Sequence, residues 1–262
     1  MIEIKNHDFS IGQIANSGQC FRINRLGAGN IWQVAALGKV LKIQQTSEFT
    51  HTFHCSSEDY RNIWENYFDL RGDYGEIKKS ILKFNDLYLN GAVKYGFGLR
   101  ILRQDVWEVA VSFIISQRNN IPRIKNTIEK LCAPHGGLFP SPQALVKYTE
   151  ESLRSIGLGY RAKYLAELAK AADSGKFDIE HLRTLGYEEA IKYVKRFNGI
   201  GEKVANCIAL YGLHKLGAFP VDTWMRRIID GQYNGKFDIE RFPGYAGVVQ
   251  QYMFFYQRSL KR

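Results

Sequence analysis

Apolar and polar positions alternate in the first part of the chain and follow a helical period in the rest. Ile31-Trp32-Gln33-Val34-Ala35 and Val40-Leu41-Lys42-Ile43-Gln44 flank Leu37-Gly38-Lys39, an order that predicts a β-hairpin. Phe49, His51, Phe53 and Cys55 then fall on one side of an alternating run, as in a half-buried strand. From about residue 59 the period becomes helical. Asp105 is placed to cap a core helix over Val106–Ile115, and Asn120 to cap a helix with Pro122 in its first turn. Ser141-Pro142 reads as another helix start, and Tyr164, Leu165, Leu168, Ala169 and Ala172 mark a further amphipathic helix.

These elements predict an α+β protein. An N-terminal antiparallel β-sheet domain is expected over residues 1–95 and a mainly α-helical domain over 96–262, joined near Tyr95-Gly96-Phe97-Gly98. A chain of 262 residues buries an ample core. No apolar run approaches the roughly 20 residues of a membrane span, and the first residues are too polar for a secretory signal. The expected location is therefore cytoplasmic, on the chromosome. Lys plus Arg exceed Asp plus Glu by 36 − 26 = 10, which suits a polyanion and also plain solubility. Cys20, Cys55, Cys132 and Cys207 lie far apart, against a disulfide framework or a zinc or iron–sulfur site. His51 and His54 are read as strand positions, since no third ligand accompanies them.

The most informative stretch is Phe197-Asn198-Gly199-Ile200-Gly201-Glu202-Lys203-Val204-Ala205. A helix from about Tyr187 to Arg196 feeds it, and one with Ala205, Ile208 and Tyr211 on one face leaves it. Gly199 and Gly201 allow a tight turn and close approach of a ligand, and the N–H groups of the next helix suit a phosphate. A plain inter-helix turn would use the same glycines. Lys203 sits in the first turn of that helix, where the dipole disfavours an ammonium and favours the neutral amine that attacks carbon. A phosphate-binding surface lysine is the ordinary alternative. Nineteen residues on, Pro220-Val221-Asp222 precedes another helix. Asp222 is placed to cap it, and a carboxylate there could also stabilise positive charge growing on a sugar.

Hairpin, lysine and Pro-Val-Asp in this order resemble the helix-hairpin-helix, Gly/Pro-Asp superfamily of DNA glycosylases. Ser17-Gly18-Gln19-Cys20-Phe21-Arg22 resembles the N-terminal signature of its 8-oxoguanine DNA glycosylase/AP lyases. Leu102-Arg103-Gln104-Asp105, Ser112-Phe113-Ile114, Asn119-Asn120-Ile121, Gly157-Leu158-Gly159-Tyr160-Arg161-Ala162 and Tyr245-Ala246-Gly247 extend the match over nearly the whole chain. The resemblance implies a bifunctional enzyme acting on double-stranded DNA that contains 8-oxoguanine, with Lys203 as nucleophile and Asp222 as its electrostatic partner. The Gly18 carbonyl would accept the N7 hydrogen of the oxidised base. Cys207 and Phe254 would sandwich the ring beside Pro220, and Gln250 would read its Watson–Crick edge.

On the DNA side, the resemblance assigns Asn119 and Tyr160 to the gap and the wedge, and Arg123 and Arg161 to the opposing cytosine. Gly199, Gly201 and Val204 would grip phosphate, and the carbonyls of Phe197 and Ile200 would hold a structural monovalent or divalent cation. No cofactor is otherwise required, and a monomer is expected. Arg118 stands at a DNA-facing position where better-known relatives carry asparagine, and Trp224 where they carry a histidine touching DNA. Relatives acting on oxidised pyrimidines or adenine mispairs carry a C-terminal four-cysteine cluster, whereas no cysteine follows Cys207 here. Alkylated-base enzymes of the superfamily usually lack the hairpin lysine. A non-catalytic helix-hairpin-helix DNA-binding protein is the alternative from another class. It would explain the charge and the glycines, but does not require Lys203 and Asp222 together.

Overall fold

The computed structural model describes residues 1–260. Strands β1 (Ile2–Lys5), β2 (Ile23–Arg25), β3 (Ile31–Ala36), β4 (Lys39–Gln45) and β5 (Thr50–His54) form an antiparallel sheet in the order β1-β5-β4-β3-β2. The expected hairpin is β3–β4. Leu37 and Gly38 both adopt positive φ (52° and 72°), the two-residue geometry whose twist matches that of the flanking strands. Register follows burial: Phe53 faces Ile2 across β1–β5 and Ile43 across β4–β5, and both Phe53 and Ile43 are fully buried. Phe68 packs edge-on against Phe9 and Phe53 with centroids 5.4 and 5.6 Å away, and Phe9 and Phe53 lie tilted to each other at 6.0 Å.

His51 shares that core. It is fully buried, its ring lies 4.7 Å from Phe9, and neither ring nitrogen finds a hydrogen-bond partner. Burial lowers its pKa to about 4, so the ring is neutral near pH 7. This is a packed strand histidine, as the alternating pattern implies.

The helices used below are α1 (Ile11–Asn16), α2 (Leu87–Tyr95), α3 (Val106–Ile115), α4 (Ile121–Cys132), α5 (Arg161–Asp173), α6 (Tyr187–Val194), α7 (Glu202–Cys207), α8 (Thr223–Tyr233) and α9 (Ala246–Ser259). Asp105 caps α3 through the Glu108 N–H, and Asn120 caps α4 through the Arg123 N–H, both as expected. Every residue of α3 except Glu108 is buried. Among the described residues, no helix is long and apolar enough to cross a membrane.

Two compact units form. One comprises Ala36–Lys39 and Gln104–Leu213, and the other the rest of the described chain. These units cut across the linear division expected at residue 95, because the chain returns: α9 packs along α2. Tyr88 Oη donates to Gln257 Oε1 at 2.9 Å, and the Tyr256 hydroxyl lies 3.0 Å from where a Cβ on Gly91 would stand. The sheet unit therefore includes α8 and α9, and the helical unit runs from α3 through α7.

Candidate active site and nucleic-acid-binding elements

In the helical unit, α6 and α7 are joined by the expected hairpin. Gly199 has φ +84°, and a Cβ there would lie 2.5 Å from Tyr164 Cγ on α5. Its carbonyl accepts from Gln117 Nε2 at 2.9 Å. Gly201 is different. It is the N-cap of α7 with an ordinary φ of −89° and open space where a Cβ would stand. The turn therefore requires Gly199, while Gly201 only leaves room beside the backbone. Ile200 and Val204 anchor the hairpin in the core, and its outer side opens on a cleft of about 410 Å³ lined by Gln117, Tyr164 and residues 195–201.

Lys203 projects from the first turn of α7 and is half-buried. Its Nζ lies 3.2 Å from Ser116 Oγ and 4.7 Å from the centroid of Phe113, which stacks on Tyr211 at 5.3 Å. Ser116 follows the last residue of α3, and its hydroxyl donates to the Phe113 carbonyl at 2.8 Å. Cys207, 2% exposed, lies four residues beyond Lys203 on the same face of α7.

The segment after α3 carries the residues expected to meet the opposite strand. Arg118 is exposed in the left-handed region, φ +47°, a conformation asparagine tolerates better than arginine. Asn119 Nδ2 donates to the Ile115 carbonyl at 3.2 Å, and its Oδ1 accepts the Asn120 N–H. Arg123 is exposed on the first turn of α4, and Tyr160 is exposed and edge-on to Tyr164 at 6.0 Å. Arg161 departs from a solvated arginine: it is buried and clamps carbonyls. Its Nε and Nη2 donate to Gln117 O, Nη2 also to Arg118 O at 3.1 Å, and Nη1 to Leu158 O at 3.2 Å. It thus fixes the Gln117–Arg118 turn from inside, so a further bond to a base would come from its remaining Nη1 hydrogen or from an exchange.

In the sheet unit, Asp222 is the N-cap of α8, its Oδ1 accepting the Met225 N–H at 2.9 Å. Pro220 is buried, and Trp224 lies in the first turn with the Arg227 guanidinium 5.7 Å from its ring. Gln250 and Phe254 are one turn apart on α9. Gln250 is 4% exposed, and its buried Oε1 finds no hydrogen-bond partner. Such an atom costs about 1–3 kcal/mol unless a donor reaches it. Phe254 is half-buried, with Arg258 5.5 Å from its ring.

Gly18 follows α1 with φ +81°. Both its neighbours are fully buried and tied down. Gln19 Nε2 donates to Arg100 O and Ser17 Oγ, Gln19 Oε1 accepts the Leu102 N–H, and Gln251 Nε2 donates to Ser17 O at 2.8 Å. The backbone at Gly18 is thereby held in one orientation. Gln251, Ser116 and Gln117 were not singled out from the sequence, and Phe113 only as part of a helix motif. Gln251 adjoins Gln250 and Gln117 adjoins Arg118, but nothing local marks Ser116, whose partner lies 87 residues away.

Among the described residues, no group of three or more His, Cys, Asp or Glu could hold a metal. The Phe197 carbonyl accepts the Ile200 N–H at 3.1 Å and, like any carbonyl, keeps a second lone pair.

Comparison with known proteins agrees with this layout. Residues 1–109 match the 8-oxoguanine DNA glycosylase N-terminal domain, and residues 111–236 match the HhH-GPD superfamily of base excision DNA repair proteins. An N-glycosylase/DNA lyase of Saccharomyces cerevisiae is 37% identical over 158 residues, 52% of this chain and 42% of that protein. A "Probable N-glycosylase/DNA lyase" of Methanothermobacter thermautotrophicus is 30% identical over 74% of this chain and 73% of its own length. The solved Clostridium acetobutylicum 8-oxoguanine glycosylase/lyase, bound to double-stranded DNA with cytosine opposite 8-oxoguanine, is 33% identical. It covers 100% of this chain and 98% of its own, with a TM-score of 0.91. The chain belongs to the 8-oxoguanine DNA glycosylase/lyase family of the helix-hairpin-helix, Gly/Pro-Asp superfamily. It spans less than half the length of the yeast relative.

Proposed function

We propose that this protein excises 8-oxoguanine from duplex DNA and then nicks the strand. The observation that carries the reading is the half-buried Lys203 amine presented from the first turn of α7, at the exit of a glycine hairpin. In this reading the damaged nucleotide is flipped from the stack. The Lys203 nitrogen lone pair attacks C1′. The C1′–N9 bond breaks, and its electron pair leaves with the base, which takes up a proton. The Asp222 carboxylate stabilises the positive charge that grows on the sugar. Loss of a proton from the attached nitrogen and opening of the sugar give a Schiff base. Loss of a C2′ proton then expels the 3′ phosphate, and hydrolysis returns the free amine.

In this reading a small set of groups selects the base. The held backbone at Gly18 offers a carbonyl to the N7 hydrogen that guanine lacks. Cys207 and Phe254 sandwich the ring with Pro220 nearby. The unpartnered Oε1 of Gln250 supports a ligand donor at that point. Gly199, Gly201 and Val204 present N–H groups to phosphate. Asn119 and Tyr160 fill and wedge the gap, Arg123 and Arg161 select cytosine, and Arg118 and Trp224 touch the neighbouring backbone. A cation on the Phe197 and Ile200 carbonyls would add positive charge beside the gripped phosphate, and no other cofactor is invoked. The enzyme acts as a monomer on the chromosome, in the cytoplasm.

The test uses duplexes with one 8-oxoguanine opposite each of the four bases, with borohydride added during turnover. A reduced covalent adduct, formed fastest opposite cytosine, is expected. Equal excision of guanine and 8-oxoguanine, or excision of alkylated bases alone, contradicts the substrate. DNA binding with no adduct from any duplex would leave a non-catalytic hairpin protein.

A further inference from the structure

Lys203 does not meet solvent alone. Its Nζ lies 3.2 Å from Ser116 Oγ, and the hydroxyl of Ser116 is already directed at the Phe113 carbonyl, 2.8 Å away. The order of these two bonds matters chemically. A hydroxyl is a better donor than an amine, so an uncommitted serine beside a neutral lysine would donate its proton to the amine nitrogen and occupy the lone pair. The Phe113 carbonyl cannot donate, so it takes the only hydroxyl proton Ser116 has. Ser116 is left as an acceptor toward Lys203. In the neutral form that attacks, the amine must then give one of its hydrogens to Oγ, and its lone pair points away from the serine.

Below the amine, the Phe113 ring lies 4.7 Å from Nζ and is held by its stack on Tyr211. Ring and hydroxyl thus bound two sides of the nitrogen, and both come from one turn of α3 and the residue that follows it.

We propose that Ser116 is a positioning residue for the nucleophile: it orients the Lys203 amine by accepting an N–H, and the Phe113 carbonyl enforces that polarity. The inference rests on Lys203 being the nucleophile. Its effect is on the bond-forming step, because Ser116 aims the amine and has no part in recognising the base.

The experiment uses the full chain and a duplex with a preformed abasic site, which bypasses base excision. Single-turnover borohydride trapping gives the rate at saturating protein, and a tetrahydrofuran-site duplex, which cannot react, gives binding. Ser116→Ala should lower the saturating rate about tenfold, the scale of one lost hydrogen bond to the attacking group, with Kd for the tetrahydrofuran duplex within twofold of wild type. Ser116→Thr keeps a hydroxyl that can reach both Phe113 O and Nζ, and should restore the rate to within about twofold. A wild-type rate in Ser116→Ala overturns the positioning role, as does an equal loss in Ser116→Thr or a parallel loss of tetrahydrofuran-duplex binding. Failure of the underlying reading looks different: peptide mapping of the wild-type adduct would then find the DNA on an amine other than Lys203.

Discussion

Replacing Gly199 with alanine tests whether the hairpin is built as described. Gly199 has φ +84°, and its Cβ would stand 2.5 Å from Tyr164 Cγ and 2.7 Å from Tyr164 Cβ. Those atoms sit at the root of the side chain, so no rotamer of Tyr164 relieves the clash. Either α5 or the hairpin must move. The left-handed backbone costs a Cβ-bearing residue about 1–2 kcal/mol. Forcing an atom into a packed contact adds roughly 1–3 kcal/mol, for a total of about 2–5 kcal/mol. At roughly 2–4 °C per kcal/mol for a chain of this size, the melting temperature should fall by about 4–20 °C. Gly201→Ala is the control. Its φ is ordinary and its Cβ would meet nothing within 4 Å, so its change should stay within about 1 kcal/mol. Scanning calorimetry of the two variants decides. Equal melting temperatures would refute the assignment of the strained turn to Gly199.

Three further outcomes are expected. Asp222→Asn keeps an oxygen to accept the Met225 N–H, so its melting temperature should hold, while loss of the charge slows single-turnover base excision by about 100- to 1000-fold; an unchanged rate would remove Asp222 from the chemistry. If the unpartnered buried Oε1 of Gln250 serves the base and not the sugar, as proposed, Gln250→Ala should lower excision of 8-oxoguanine by about tenfold while leaving cleavage of a preformed abasic site near wild type; equal losses on both substrates would contradict that division. The buried neutral His51 has a folded pKa lowered to about 4, against about 6.5 when unfolded. Its contribution is therefore complete above about pH 6.5 and is lost as pH falls toward 4, by up to about 1.4 kcal/mol per pH unit. In His51→Leu, the fall in melting temperature between pH 7 and pH 5 should be smaller, and an identical pH profile would show that His51 is not the titrating group.

What the sequence made legible depended on range. The caps at Asp105, Asn120 and Asp222 each bond an N–H three residues on, so local order alone declares them. The β3–β4 hairpin is equally local. Strands β1 and β2 carry four and three residues, too short for alternation to register, and β1 pairs with β5 across nearly fifty residues. The packing of α9 on α2 is likewise non-local, which is why a linear boundary near residue 95 failed to describe the units. Local order also placed Lys203 at a helix start and Asp222 at a helix cap, and both stand there. Arg161 was legible as a residue of interest but not as a carbonyl clamp, because its partners at Gln117 and Arg118 lie more than forty residues away. The contact between Lys203 and Ser116 was hidden for the same reason.

The central claim is that the Lys203 amine forms the bond to C1′. Lys203→Gln tests it most directly, since glutamine is polar and of similar length but has no amine to form a Schiff base. The measurement is borohydride trapping on a single 8-oxoguanine:cytosine duplex, with binding followed in parallel. The account predicts that Lys203→Gln binds the duplex near wild-type affinity and yields no trapped adduct, no free base and no nick. A trapped adduct in Lys203→Gln would contradict it, because another amine would then be the nucleophile.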